Sequence, residues 1–222
     1  MDAYKILEIK QSVFENNDKQ ADLLRNSLKK DKVFLLNLMS SPGSGKTTTV
    51  LRTIEALKGE MSIGVLEADI DSDVDAHTVS TTGTKVIQLH SGGMCHLTAE
   101  MTRQGLVGMG TKGLDFVILE NIGNLICTAE ADTGASRNAM ILSVPEGDDK
   151  PLKYPLMFSM VDVLLINKID AMSLFDFDIE AVRERVTKMN PRIRIFPISA
   201  KTGEGIQEWA DWLRREIQEW KR

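Results

Sequence analysis

Apolar positions along this chain follow two alternating rhythms. Short unbroken runs, such as Val33-Phe34-Leu35-Leu36, Phe116-Val117-Ile118-Leu119 and Val163-Leu164-Leu165-Ile166, read as strands covered on both faces. Between them, apolar residues recur three and four positions apart, the spacing of an amphipathic helix. The pattern predicts strands at 33–38, 62–67, 85–89, 115–120, 138–144, 161–167 and 193–197. It predicts helices at 45–58, 74–81, 96–107, 152–159, 177–189 and 204–221. This alternation implies right-handed βαβ units. The expected fold is α/β: a doubly wound, mostly parallel sheet of about seven strands with helices on both faces. Ligands then belong outside the carboxyl ends of the strands. Ahead of this domain (31–222), Ile6, Ile9 and Val13, then Ala21, Leu24 and Leu28, recur at helical spacing. Residues 1–30 are therefore read as an N-terminal helical segment, two short helices or one helix interrupted at Asn16-Asn17-Asp18, lying on the domain or on a partner, with packing on its own sheet preferred. Glu146–Pro151 is the most polar loop and is expected to be mobile.

Composition narrows the class. A chain of 222 residues with 42% hydrophobic residues suits one α/β domain with an appendage. The net charge of −5 gives no basic surface for nucleic acid or an anionic membrane. No apolar run approaches the roughly 20 residues of a spanning helix, and Met1-Asp2-Ala3-Tyr4-Lys5 does not open a signal peptide. The expected compartment is the cytoplasm. There Cys95 and Cys127, the two cysteines, are not expected to form a structural disulfide.

The first predicted strand runs into Met39-Ser40-Ser41-Pro42-Gly43-Ser44-Gly45-Lys46-Thr47 and then a helix. This is the context of a P-loop. Gly43 and Gly45 let backbone N–H groups, with those of Ser44 and Thr48, turn toward an anion at a helix N-terminus. Lys46 would reach the β and γ phosphates, and the Thr47 hydroxyl would ligate Mg²⁺. Ser40 stands where the pattern usually has its first glycine.

The strand ending at Ile166 continues into Asn167-Lys168-Ile169-Asp170, the Asn-Lys-x-Asp signature of guanine recognition. Asp170 can accept hydrogen bonds from the ring N1–H and the 2-amino group of guanine, which adenine does not offer in that arrangement. Lys168 would cover the base, and Asn167 would tie adjacent loops. Ser199-Ala200-Lys201, beyond the last strand, would set a backbone N–H on the guanine O6. The nucleotide is therefore read as GTP. For Mg²⁺, two acidic strand ends offer hard oxygen ligands besides Thr47: Glu120 and Asp69. Asp71, Asp73 and Asp75 follow Asp69 at alternate positions, the first two expected to be solvated. Asp75 is assigned with Lys46 and Glu120 to catalysis, orienting the attacking water. Gly123 would sense the γ-phosphate through its N–H.

Cys95-His96 follows the third strand and Cys127 the fourth, and neighbouring strand ends would bring the two loops together. Two thiolates and an imidazole make a borderline-soft site for Zn²⁺ or Ni²⁺, open at its fourth position. Spacing alone favours two buried cysteines and an ordinary histidine. His77 and His90 are read as a helix residue and a strand-end residue.

Ser-Pro-Gly-Ser-Gly-Lys-Thr, Cys95-His96-Leu97, Glu120-Asn121-Ile122-Gly123-Asn124-Leu125-Ile126-Cys127 and Asn167-Lys168-Ile169-Asp170 together strongly resemble the hydrogenase nickel-incorporation GTPases, the HypB family. The likeness covers nearly the whole chain. It implies a P-loop GTPase fold shared with signal-recognition and urease-maturation GTPases, slow GTP hydrolysis and nucleotide-dependent homodimerisation. It further implies nickel delivery to a [NiFe]-hydrogenase large-subunit precursor with a HypA-type partner. It also implies Zn²⁺ or Ni²⁺ at Cys95, His96 and Cys127 near the dimer interface, reversing the reading from spacing. Three departures stand out. No Cys or His precedes His77, so a tight nickel-storage site is not expected. Thr128 replaces the usual Pro after the second cysteine, and Ser72 replaces a common Thr. The rivals are a urease-type nickel GTPase (which carries Cys-Pro-His), a metal-binding module with a vestigial GTPase, and an ATP-driven partitioning or kinase-like protein.

Overall fold

In a computed structural model, residues 3–69 and 74–222 are described, with side chains from residue 16 onward. The chain opens with a long helix, α1 (Ala3–Asp31), and enters the sheet at β1 (Phe34–Ser40). The order continues through α2 (Lys46–Leu57), β2 (Ile63–Asp69), α3 (Val74–Ser80), β3 (Lys85–His90), α4 (Ala99–Met109) and β4 (Phe116–Glu120). There follow α5 (Cys127–Glu130), β5 (Arg137–Ser143), α6 (Lys150–Lys153), α7 (Pro155–Met160), β6 (Val163–Asn167), α8 (Ile179–Met189), β7 (Arg194–Pro197) and α9 (Ile206–Lys221). Among the described residues the sheet has seven strands in the order β3-β2-β4-β1-β5-β6-β7. Every pairing is parallel.

The unbroken apolar runs have a direct cause: both faces are covered. Phe34, Leu36 and Leu38 of β1 pack with α2 and α9, through Val50, Ile54, Trp209 and Leu213. Leu35 of the same strand faces α1 and α4, with Leu24, Leu28, Leu106 and Met109. Met39 joins Met157, Phe158, Val182 and Val186 of α7 and α8. Alternate side chains of one strand thus enter different layers, and none is left for solvent. One buried polar line crosses this packing. The Asn121 amide donates to Asn37 Oδ1 and that of Asn37 to Asn138 Oδ1, each at 2.9 Å.

The N-terminal segment differs from expectation, because α1 runs unbroken through Asn16-Asn17-Asp18. An Asn interrupts a helix when its side chain competes for the local backbone. Asn17 instead turns to distant groups: its amide donates to Asp132 O at 2.8 Å, and its Oδ1 accepts from Ala99 N at 2.9 Å. Arg25, further along, holds both carboxylate oxygens of Asp132. The predicted helix at 152–159 is two helices, since Tyr154 precedes Pro155 and adopts φ −129°. The polar loop expected to be mobile is pinned: the Glu146 carboxylate accepts from Ser143 N, and Arg185 Nη1 meets Asp148 Oδ1 at 2.9 Å.

Asn17 is 8% exposed, so Asn17→Ala leaves two backbone groups without their partner in a largely dry site. A loss of about 1–3 kcal/mol is expected, read as a lower urea midpoint with unchanged slope. An unchanged midpoint would mean that water replaces the side chain at no cost.

Candidate functional site

Among the described residues, the predicted chemistry leaves the sheet at the carboxyl ends of its strands. β1 ends at Ser40, which is fully buried and whose Oγ donates to Ser41 O at 2.7 Å. A side chain is therefore accommodated where the pattern usually has glycine. Gly43 and Gly45 follow with φ of 74° and 96°. Gly45 is doubly required: besides its left-handed backbone, an added Cβ would lie 2.5 Å from Asn167 Nδ2. Lys46 opens α2, Thr47 follows half-buried, and Thr48 is exposed. The Ser44 hydroxyl is buried without a hydrogen-bond partner.

The guanine-signature residues meet this loop from β6. The amide of Asn167 donates to Ser44 O at 2.9 Å, and its Oδ1 accepts from Ala200 N at 3.0 Å. One side chain thus ties the phosphate loop to the Ser199-Ala200-Lys201 loop. Lys168 takes the left-handed conformation, φ 65°, and its Nζ reaches Gly43 O at 2.6 Å. Asp170 Oδ1 accepts from Ser199 Oγ at 2.6 Å. Arg52 of α2 donates to the carbonyls of Ala200 and Lys201. Sequence reasoning had no signal for that last contact.

At the phosphate end, Thr47 Oγ1 donates to Glu120 Oε1 at 2.9 Å. Glu120 is not the only buried carboxylate here. Glu67, on β2, stands opposite it in register. The two are 3% and 1% exposed, and each has one oxygen, Oε2, without a hydrogen-bond partner. Asp75, exposed on the first turn of α3, completes a group whose ligand oxygens all lie within 4.8 Å of one another. Sequence reasoning missed Glu67; its signal was a lone acid between Leu66 and Ala68 in an apolar strand. Asp69 is half-buried at the end of β2, opposite His90. It is not in the compact group. Asp71 and Asp73 lie outside the described residues. Oxygen-only donors with orphaned buried carboxylate atoms fit a hard divalent cation such as Mg²⁺. Gly123, past Glu120, sits against Pro42 of the phosphate loop, 3.1 Å from where its Cβ would be.

The soft donors occupy two loops. Neighbouring strand ends were expected to bring them together, yet β2 and not β4 adjoins β3. The loops nonetheless approach each other beyond β2, where the Cys127 thiol lies near enough to Cys95 to feel it. Hydrogen bonding to Cys95, burial and the Cys95 charge raise the Cys127 thiol pKa above its ordinary value. His96 Nδ1 is 3.9 Å from Cys95 Sγ. Both cysteines are free thiols, half-buried. The Asn124 carboxamide caps the turn by accepting from Ile126 N and Cys127 N, and Thr128 Oγ1 donates to Asn124 O. Among the described residues, only Glu67, Asp75 and Glu120 form a three-donor group within 4.8 Å, so Cys95, His96 and Cys127 do not together close to that distance. His77 lies in α3, and His90 ends β3.

Burial is the main cause that raises both buried carboxyls. Glu67, with the Glu120 charge adding to burial, is pushed up to about 11. Lys46 opposes the shift at both. The folded protein therefore keeps a proton that the unfolded chain releases above 4.5. Because the native state then binds more protons, stability falls as pH rises from 4.5 toward the folded value. The slope is at most about 1.4 kcal/mol per pH unit for one proton. Urea midpoints in EDTA should drop from pH 6 to pH 8.5, and drop less in Glu67→Gln. Equal drops would show that no proton is held there.

Comparison with known proteins agrees with this geometry. Residues 34–197 match the family described as CobW/HypB/UreG, nucleotide-binding domain. The hydrogenase maturation factor HypB of Azotobacter vinelandii is 41% identical over 212 residues, spanning 96% of this chain and 70% of that protein. The hydrogenase/urease maturation factor HypB of Helicobacter hepaticus is 37% identical over 215 residues, spanning 95% of this chain and 88% of that one. The crystal structure of HypB from Helicobacter pylori in complex with nickel superposes with a TM-score of 0.86 at 36% identity, covering 92% of this chain and 96% of the other. A 54 kDa signal recognition particle protein from Aeropyrum pernix, in complex with GDP, shares the fold alone, with a TM-score of 0.58 at 15% identity over 84% of this chain and 46% of that one. Matched by a nucleotide-binding family over most of its length and by maturation factors over nearly all of it, the chain belongs to the HypB family of hydrogenase maturation factors.

Proposed function

We propose that the chain is a GTP-hydrolysing metallochaperone for nickel insertion into a [NiFe]-hydrogenase large-subunit precursor, with its GTP state coupled to homodimerisation and metal transfer. One observation carries the reading. The segment that begins at Glu120, on the Thr47 hydroxyl, runs through Gly123 to Cys127, whose thiol meets Cys95. The phosphate end of the site and the soft donors therefore share one short stretch of backbone.

On this reading Gly43, Ser44, Gly45, Lys46, Thr47 and Thr48 hold the phosphates, with Lys46 on the β and γ groups. Thr47, Asp69 and Glu120 hold Mg²⁺, which when bound offsets phosphate charge. Asp75 orients the attacking water. Asp170 accepts from the guanine edge, Lys168 covers the ring, a backbone N–H of the Ser199-Ala200-Lys201 loop serves O6, and Asn167 ties that loop to the phosphate loop. Nickel is cargo: the Cys95 and Cys127 thiolates and the His96 imidazole suit Ni²⁺ or Zn²⁺, with a fourth position open for exchange. Loss of the γ-phosphate would release the backbone beyond Asn121, at Gly123, and change the angle at which Cys127 faces Cys95. On this reading turnover is slow, the protein works in the cytoplasm, and a HypA-type nickel protein is its partner. Residues 1–30 are an appendage to the GTPase unit of 31–222. A urease client is the second reading, favoured by the double naming of the Helicobacter relatives.

Asp170→Asn should lower GTP turnover efficiency about ten- to a hundredfold, the size of one lost buried hydrogen-bond pair, and raise that for xanthosine triphosphate. Unchanged GTP preference would remove guanine from the assignment. Nickel affinity, by competition titration, should differ between the GTP- and GDP-loaded protein and be lost in Cys95→Ala. Equal affinity in the two nucleotide states would break the proposed coupling.

A further inference from the structure

The Glu67–Asp75–Glu120 group has more donors than a nucleotide-bound Mg²⁺ needs, since that ion takes most of its shell from one or two side chains, water and phosphate. Two of its members project from adjacent strands at the same register, so the sheet itself fixes their separation. Both are almost fully buried, each has one oxygen without a hydrogen-bond partner, and each places a carboxylate oxygen within the group. A buried carboxylate pair is stable only with a proton or a cation between its members. A proton satisfies one pair of oxygens; a divalent cation satisfies Glu67, Glu120 and Asp75 together. Octahedral ligands about 2.1 Å from Mg²⁺ stand about 3–4 Å apart, close to the observed spread of up to 4.8 Å. Asp75 is exposed and supplies the open side from which water completes the shell.

We propose that Glu67, Asp75 and Glu120 bind one hard divalent cation, Mg²⁺ or Mn²⁺, in the nucleotide-free protein, so that the phosphate loop is loaded with metal before nucleotide arrives. Glu67 is then a metal ligand, and the hard site is separate from the thiol–imidazole donors. The inference deepens the proposed function and rests on it only for the phosphates beside Thr47 and Glu120. A soft ion would prefer Cys95 and Cys127, whereas all-oxygen donors select Mg²⁺ or Mn²⁺.

The test is titration of nucleotide-free protein with Mn²⁺, followed by loss of the free Mn²⁺ electron paramagnetic resonance signal. One equivalent should bind, with at least tenfold weaker binding in Glu67→Gln and unchanged binding in Cys95→Ser. Circular dichroism checks folding; if Glu67→Gln does not fold, Asp75→Asn at the exposed position takes its place with the same expected loss. Binding that appears only after GTP or GDP is added, or equal binding in the carboxylate variants, would overturn the proposal. GTP turnover is measured on the same samples. Mn²⁺ binding without turnover would remove the GTPase reading and leave the cation site; turnover without nucleotide-free binding would do the reverse.

Discussion

One carboxamide holds the nucleotide-facing edge together. Asn167 donates to the carbonyl of Ser44 and accepts from the amide of Ala200, so two loops from distant strands share one rigid planar group. Neither loop has regular structure to fix its shape, and the close approach of Asn167 is what requires glycine at position 45. The phosphate side and the base side of the cleft are therefore set at a fixed separation before any ligand enters. Preorganisation of this kind lowers the ordering cost of binding.

The parallel sheet supplies the second constraint. Placing β4 beside both β1 and β2 brings Glu120 next to Thr47 on one side and Glu67 on the other. The asparagine line from Asn121 through Asn37 to Asn138 anchors the backbone immediately after Glu120. Asn121 N also donates to Leu38 O at 2.9 Å. Movement in this segment can therefore begin only beyond Asn121, where Gly123 rests on Pro42 and the chain leads to Cys127. The fixed part serves the phosphates and the free part carries a thiol.

Features written in contiguous residues were legible in the sequence. The phosphate loop, the Asn167–Asp170 signature and the seven strands each announce themselves locally, through glycine placement, a short motif or a dense apolar run. What depended on strand order was not. Glu67 acquires its meaning only because β4 is inserted beside β2, which no local pattern declares. The meeting of Cys95 and Cys127 was expected from adjacent strands, whereas it is achieved by loops that reach past β2. Asn17 was misjudged for a related reason: its partners, Ala99 and Asp132, are remote, and a polar cluster whose hydrogen bonds go elsewhere does not stop a helix.

Those remote partners give α1 a reach its position at the start of the chain does not suggest. Ala99 lies just beyond His96, at the first turn of α4, and its N–H hangs on the side chain of Asn17. The other arm of the same side chain holds Asp132, shortly after Cys127. Both cysteine loops are thus moored downstream to one residue of one helix. α1 shares hydrogen bonds with the chain that follows each thiol loop, through contacts separate from the phosphate cradle.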